Sequence, residues 1–271
     1  MRSYKEFLLV SDMDGTLLSG DTTISKENRE AIQEFVAGGG RFAIATGRTA
    51  GNAAEYLEGL PVNSPGIFYN GAMLADMATG EVLKSCRLTG KIWRDFAAHC
   101  LQKFPQACIE VYTADQCYIL SAPGQDDPRL AKEYSDYRHT TLAQVAGLDW
   151  LKFFICASRP VLEAVRREAG KLGILEISTN FFSATTYLEF VGQEVSKGHM
   201  LEALRRLPGN AGRYVVAAGD FANDNEMLRR ADCGVAPENA MPETKEAADR
   251  LGPDCDHHLW AYIIHEVLPE L

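Results

Sequence analysis

The sequence is short of what several large function classes require. It holds no apolar run approaching the length of a membrane-spanning helix and no signal-type apolar segment near its start. A soluble intracellular protein without a membrane partner is therefore expected. Basic charge is scarce: 27 Lys and Arg stand against 37 Asp and Glu, for a net charge of −10. A nucleic-acid partner needs a basic face, so none is expected. A small anionic substrate stays open, because a bound divalent cation inverts the local field. The seven cysteines include no CxxC pair and are odd in number. That argues against a zinc site or a disulfide framework and for reduced, mostly buried thiols in a cytoplasmic protein. Internal repeats and low-complexity tracts are also missing.

What is present is an ordinary globular mixture. The 271 residues are 46% hydrophobic and 24% charged, enough for one large domain or two modest ones. Phe7 to Val10 is a short apolar run that reads as a buried parallel strand, and Ser11-Asp12-Met13-Asp14-Gly15-Thr16 follows it directly. In an extended chain, residues i and i+2 point the same way, so Asp12 and Asp14 can address one point beyond the strand end. Two such carboxylates repel unless a cation or a shared proton intervenes, which predicts a metal site, an acid/base pair, or both. Gly15 permits a sharp turn that exposes backbone amides, so that Thr16 and its neighbours can wrap an anion.

Downstream, Ser25 to Gly38 has the stripe and cap of a helix, and Arg41 to Thr46 is an apolar strand entering a polar turn. A helix around Ala50 to Leu60 and a third strand from Pro65 to Gly71 complete a β-α-β-α-β run, which predicts a doubly wound parallel sheet. The rhythm then changes. Short strands and helices with hairpin turns predict an α+β insertion over residues 83–188, dividing a core made of 1–82 and 189–271. After it, Ser196-Lys197-Gly198 opens a helix, and Tyr214 to Asp220 is a second apolar strand ending in an acid. Ligands of such sheets bind beyond the carboxyl ends of the strands, where the strand order reverses. If the first strand lies beside Tyr214 to Ala218, Asp12, Asp14 and Asp220 meet, and Asp224 can join them. Carboxylate oxygens suit Mg2+. With the Thr46 hydroxyl and the Lys197 ammonium, the set fits phosphoryl chemistry.

Asp12-x-Asp14-Gly15-Thr16, Thr46-Gly47-Arg48, Lys197-Gly198 and Gly219-Asp220-x-x-Asn223-Asp224 jointly resemble the four motifs of haloacid dehalogenase-like phosphohydrolases. Asn70-Gly71-Ala72 and Ala236-Pro237-Glu238-Asn239-Ala240 are similar to further signatures of the Cof-type branch. The resemblance implies an α/β, Rossmann-like core with an inserted cap that closes over the site and excludes water. It implies Asp12 as nucleophile, giving an aspartyl-phosphate, and Asp14 as general acid and then general base. Mg2+ would be held by Asp12 and Asp220, by the backbone carbonyl of Asp14, and by Asp224 directly or through water. Thr46, Gly47, Lys197 and Asn223 would hold the phosphoryl group.

Arg48, Asn70 and Gly71 are candidate substrate contacts. Arg48 faces either the phosphate or a core carboxylate, and Asn70-Gly71 is also an ordinary turn pair. The activity implied is a Mg2+-dependent phosphatase of a small phosphorylated metabolite, a sugar phosphate first, acting as a monomer or small homo-oligomer. Its rivals are a phosphotransferase or phosphomutase of the same family and a non-catalytic phospho-accepting module. The acid Asp14 and the cap speak against the last.

Overall fold

The computed structural model describes residues 2–128, 130 and 137–271. The chain divides into two compact units, Met1–Lys84 with Ser196–Leu271, and Ser85–Val195. Its strands in chain order begin with β1 (Phe7–Ser11), β2 (Arg41–Ile44), β3 (Gly66–Phe68), β4 (Met73–Ala75) and β5 (Val82–Ser85). The inserted unit contributes β6 (Cys108–Tyr112), β7 (Cys117–Ile119), β8 (Tyr137–His139), β9 (Lys152–Cys156), β10 (Ser178–Ala184) and β11 (Tyr187–Gly192). The chain closes with β12 (Tyr214–Ala218), β13 (Cys233–Pro237) and β14 (Arg250–Gly252).

The first unit is built on a five-stranded parallel sheet in the order β14-β13-β12-β1-β2. Every side chain of β1 is buried, which explains why the run carries no polar alternation. Phe7 pairs with Tyr214 and Ser11 with Ala218, so β1 and β12 end level with each other. The sequence steps outward from β1 to β2 on one side and from β12 to β14 on the other, which puts the reversal point between β1 and β12. Helix Lys26–Ala37 is capped by Ser25, whose hydroxyl accepts the Asn28 amide, and it buries Ala31, Ile32 and Phe35. The third strand does not extend the parallel sheet. β3 touches it through a single Ala45–Ile67 bridge and instead opens a separate three-stranded sheet, β3-β4-β5. The α/β class holds, with antiparallel sheets added to it.

The inserted unit has a six-stranded sheet in the order β10-β11-β9-β6-β7-β8. Ile109, Val111, Phe153, Ile155, Leu188 and Phe190 share one face of it. They pack with Trp93, Phe96 and Cys100 of helix Lys91–Lys103 and Leu162 and Val165 of helix Arg159–Lys171. Trp93, Phe96 and Phe153 meet at tilted or edge-on angles, a favourable arrangement for aromatic rings. Among the described residues, no helix is long and apolar enough to cross a membrane.

Candidate active site

The level ends of β1 and β12 decide where the first carboxylates fall. The Asp12 amide continues the pairing by donating to the Ala218 carbonyl at 2.9 Å, so Asp12 and Asp220 leave neighbouring strands at the same height. The turn after β1 is tight: the Met13 carbonyl accepts the amides of Thr16, Leu17 and Leu18. Gly15 sits there with φ +77, and a Cβ added to it would lie 2.5 Å from Asp220 Oδ2. Glycine is thus required both by conformation and by close approach.

Asp12, Asp220 and Asp224 each offer an oxygen, all within 4.8 Å of one another. Asp224 organises the loop after β12. Its Oδ2 accepts the amides of Asp220 and Phe221 at 3.1 Å each, and its Oδ1 accepts the Lys197 ammonium at 2.6 Å. Lys197 also donates to Asp12 Oδ1 at 2.5 Å. The lysine is fully buried at the start of helix Lys197–Leu204, which Ser196 caps by accepting the His199 amide.

Electrostatics make this a tense cluster. Burial, and then the carboxylates of Asp224 and Asp220, push the Asp12 carboxyl well above the usual range against the pull of Lys197. Burial and Asp224 likewise raise Asp220 to about 6. Burial works against the Lys197 ammonium, but Asp12 and Asp224 more than offset it and hold the amine charged. Three carboxylates facing one ammonium leave two formal negative charges in a largely buried place. An all-oxygen donor set with that deficit fits a hard divalent cation.

A second group of residues surrounds the first. Thr46 is buried, and its Oγ1 accepts the Arg48 amide at 3.1 Å. The Asn70 backbone N–H donates to the Thr46 carbonyl at 3.0 Å, and Asn70 Oδ1 accepts from Asn223 Nδ2 at 3.0 Å. Asn70 has φ +56, and Tyr69 before it φ +52, a left-handed pair that costs energy in non-glycine residues. Gly47 and Gly71 are places of close approach: a Cβ would lie 3.1 Å from the Asn70 side chain at Gly47 and would collide with the Ser196 backbone at Gly71. Thr46, Gly47, Asn70 and Asn223 are thus brought together. The Asp14 carboxylate accepts from Arg48 at 2.6 and 2.8 Å.

Sequence reasoning passed over several residues that brace this arrangement. Trp260 Nε1 donates to Ser11 Oγ at 2.7 Å, and that hydroxyl donates to the Asp12 carbonyl. Asn52 and Tyr56 hold Arg48. Asn239 was visible only as part of a signature. It donates to the Gly15 carbonyl at 2.8 Å and accepts the Cys255 amide at 2.9 Å, tying the loop after β1 to the C-terminal segment. These residues come from different elements, Asn52 and Tyr56 from helix Ala50–Tyr56 and Trp260 from helix Leu259–Tyr262, and share no sequence signal. His257, by contrast, pairs with Asp254 on the surface.

Known proteins share this architecture. A family model described as haloacid dehalogenase-like hydrolase matches residues 9–258. YxeH of Bacillus subtilis strain 168, which carries a phosphatase name, is 28% identical over 96% of this chain and 98% of its own length. The 5-amino-6-(5-phospho-D-ribitylamino)uracil phosphatase YcsE of the same organism is 29% identical over 90% of this chain and 88% of its own. A haloacid dehalogenase-like hydrolase from Bacteroides thetaiotaomicron superposes with a TM-score of 0.83 at 25% identity, covering 96% of this chain and 98% of that one. The match runs from β1 to the C-terminal segment, and the chain belongs to the haloacid dehalogenase-like hydrolases, in their Cof-type branch.

Proposed function

We propose that this protein is a Mg2+-dependent phosphatase that hydrolyses a small phosphorylated metabolite through an aspartyl-phosphate on Asp12. The convergence of Asp12, Asp220, Asp224 and Lys197 from distant segments carries the reading. Family membership and the phosphatase-named relatives support it.

The roles follow from the chemistry of the groups. Asp12 Oδ attacks phosphorus, and the bond to the leaving oxygen breaks. Asp14 supplies a proton to that oxygen, then takes one from the water that hydrolyses the acyl phosphate. Lys197 offsets the repulsion between the Asp12 carboxylate and the incoming phosphate. The Thr46 hydroxyl, the Gly47 amide and Asn223 would hold phosphoryl oxygens. Asp12 and Asp220, the Asp14 carbonyl and Asp224 would hold Mg2+, which supplies the positive charge that keeps Asp12 ionised and neutralises the phosphoryl oxygens.

A phosphorylated sugar or polyol is the substrate class proposed, in keeping with the ribityl phosphate in the name of YcsE. Seven free thiols among the described residues support a reducing, cytoplasmic setting. The test is a panel of phosphorylated sugars, polyols, nucleotides and vitamin phosphates with free phosphate as the readout. Asp12→Asn should abolish release on every substrate. Turnover that survives this change removes the mechanism, and an isomer formed without free phosphate points to a mutase instead.

A further inference from the structure

Arg48 lies outside the acidic cluster, yet each of its three guanidinium nitrogens donates to one carboxylate or its brace. Nε donates to Asp14 Oδ2 at 2.8 Å and Nη2 to Asp14 Oδ1 at 2.6 Å, a bidentate fork. Nη1 donates to Asn52 Oδ1 at 2.6 Å, and the guanidinium carbon lies 4.3 Å from the centre of the Tyr56 ring. Asn52 and Tyr56 come from one helix, Ala50–Tyr56, capped by the Thr49 hydroxyl. The Arg48 side chain is 14% exposed, whereas that of Asp14 is 55% exposed. An exposed aspartate beside a left-handed glycine has several rotamers open to it, and selecting one costs entropy. The fork fixes the plane of the Asp14 carboxylate, and with the bond to Asn52 it occupies three of the five guanidinium N–H donors.

We propose that Arg48 is a positioning residue: it fixes the rotamer of the Asp14 side chain, from which the protonated acid serves the leaving oxygen, and does not bind the phosphoryl group. The inference rests on the reading of Asp14 as proton donor. A planar, two-pronged donor is needed, so lysine cannot replace it.

The experiment compares kcat/KM on two probes with Mg2+ present. The alkoxide of β-glycerophosphate must be protonated as it leaves, while p-nitrophenolate leaves without a proton. kcat/KM reports only steps up to the first irreversible one, so later hydrolysis of the aspartyl-phosphate does not blur the comparison. Arg48→Ala should lose about 100-fold on β-glycerophosphate, the scale of an ångström-level misplacement, and under about 3-fold on p-nitrophenyl phosphate. Arg48→Lys should resemble Arg48→Ala. Inhibition by inorganic phosphate should keep its constant. In an Asp14→Asn background, Arg48→Ala should add nothing, because residues acting as a unit are not additive.

Equal losses on the two probes, a weaker phosphate inhibition constant, or additive losses in the double variant would each overturn the proposal. Asn52→Ala, which removes the brace and leaves the Asp14 fork in place, should show a smaller loss with the same selectivity for the alkyl probe. That keeps the test informative should Arg48→Ala fold poorly. If Asp12→Asn retains turnover, or Asp14→Asn treats both probes alike, the phosphatase mechanism itself fails, and that result is distinct from a failure of Arg48 alone.

Discussion

Lys197 Nζ lies 2.5 Å from Asp12 Oδ1, although 185 residues separate them in the chain. The contact joins the start of a helix in the second core segment to the end of the first strand. It is buried on both sides, with side-chain exposures of 0% and 8%. Such a pair is weak evidence of net stabilisation, but removing one partner strands the other. Lys197→Met leaves Asp12 and Asp224 facing each other without a cation. The expected loss is about 3–5 kcal/mol of unfolding free energy, the usual penalty for an uncompensated buried charge. Urea denaturation of the metal-free protein measures it. Added Mg2+ should restore part of the loss without restoring turnover, because in the proposed mechanism Lys197 also offsets the charge of the phosphate.

Gly15→Ala tests the close approach of the loop after β1 to Asp220. The new Cβ would lie 2.5 Å from Asp220 Oδ2, in a backbone conformation with φ +77. Either the loop or the carboxylate must shift. The expected result is a destabilisation of about 1–3 kcal/mol, the range for a residue forced into a disfavoured backbone region. Mg2+ affinity should fall with it. Calorimetric titration of the ion is the direct measurement, and unchanged affinity would show that Asp220 can move aside freely.

A divalent cation should raise the melting temperature of the protein in proportion to the logarithm of its concentration above Kd. The gain should shrink in acid. Burial and Asp224 raise Asp220 to about 6, so below that pH protons and metal compete for the same oxygen. Asp220→Asn should remove most of the thermal shift at neutral pH. A shift that persists in this variant would place the ion elsewhere.

Much of the core was readable because its signals are local. β1 and β12 are both apolar runs that end in an acid, and their adjacency follows from the reversal of strand order. Helix boundaries near Ser25 and Ser196 were marked by capping hydroxyls. Where periodicity had little to act on, the sequence misled. The run Leu175 to Thr179 suggests a strand, but the strand is Ser178–Ala184, a polar edge segment whose register shifts between Phe181 and Ala184. Three-residue Arg250–Gly252 is too short to show alternation at all. Pro65 to Gly71 reads as a third parallel strand, yet only Gly66–Phe68 is extended, and it pairs with Met73–Ala75. The Asp14–Arg48 fork depends on two side-chain rotamers 34 residues apart, a relationship that no spacing rule encodes.

The inserted unit carries its own pH-sensitive staple. Glu168, on helix Arg159–Lys171, accepts from Lys171 on the same helix and pairs with Lys103 and His99 of helix Lys91–Lys103. Hydrogen bonds from Lys103 and Lys171 hold its carboxyl down at about 2, against the ordinary 4.5. An acid held down in the folded state contributes stability that is complete above its unfolded value and disappears as pH falls to its folded one. The contribution is therefore present above about pH 4.5 and lost between there and about pH 2. Glu168→Gln should be less stable than the parent at neutral pH and lack this part of the acid slope, so that the two proteins converge near the acid end. Salt should narrow the gap, since Lys103 and Lys171 are about half or more exposed. Urea midpoints for both proteins across the acid range, at low and high ionic strength, measure the difference; parallel curves would mean that the staple adds nothing to folding.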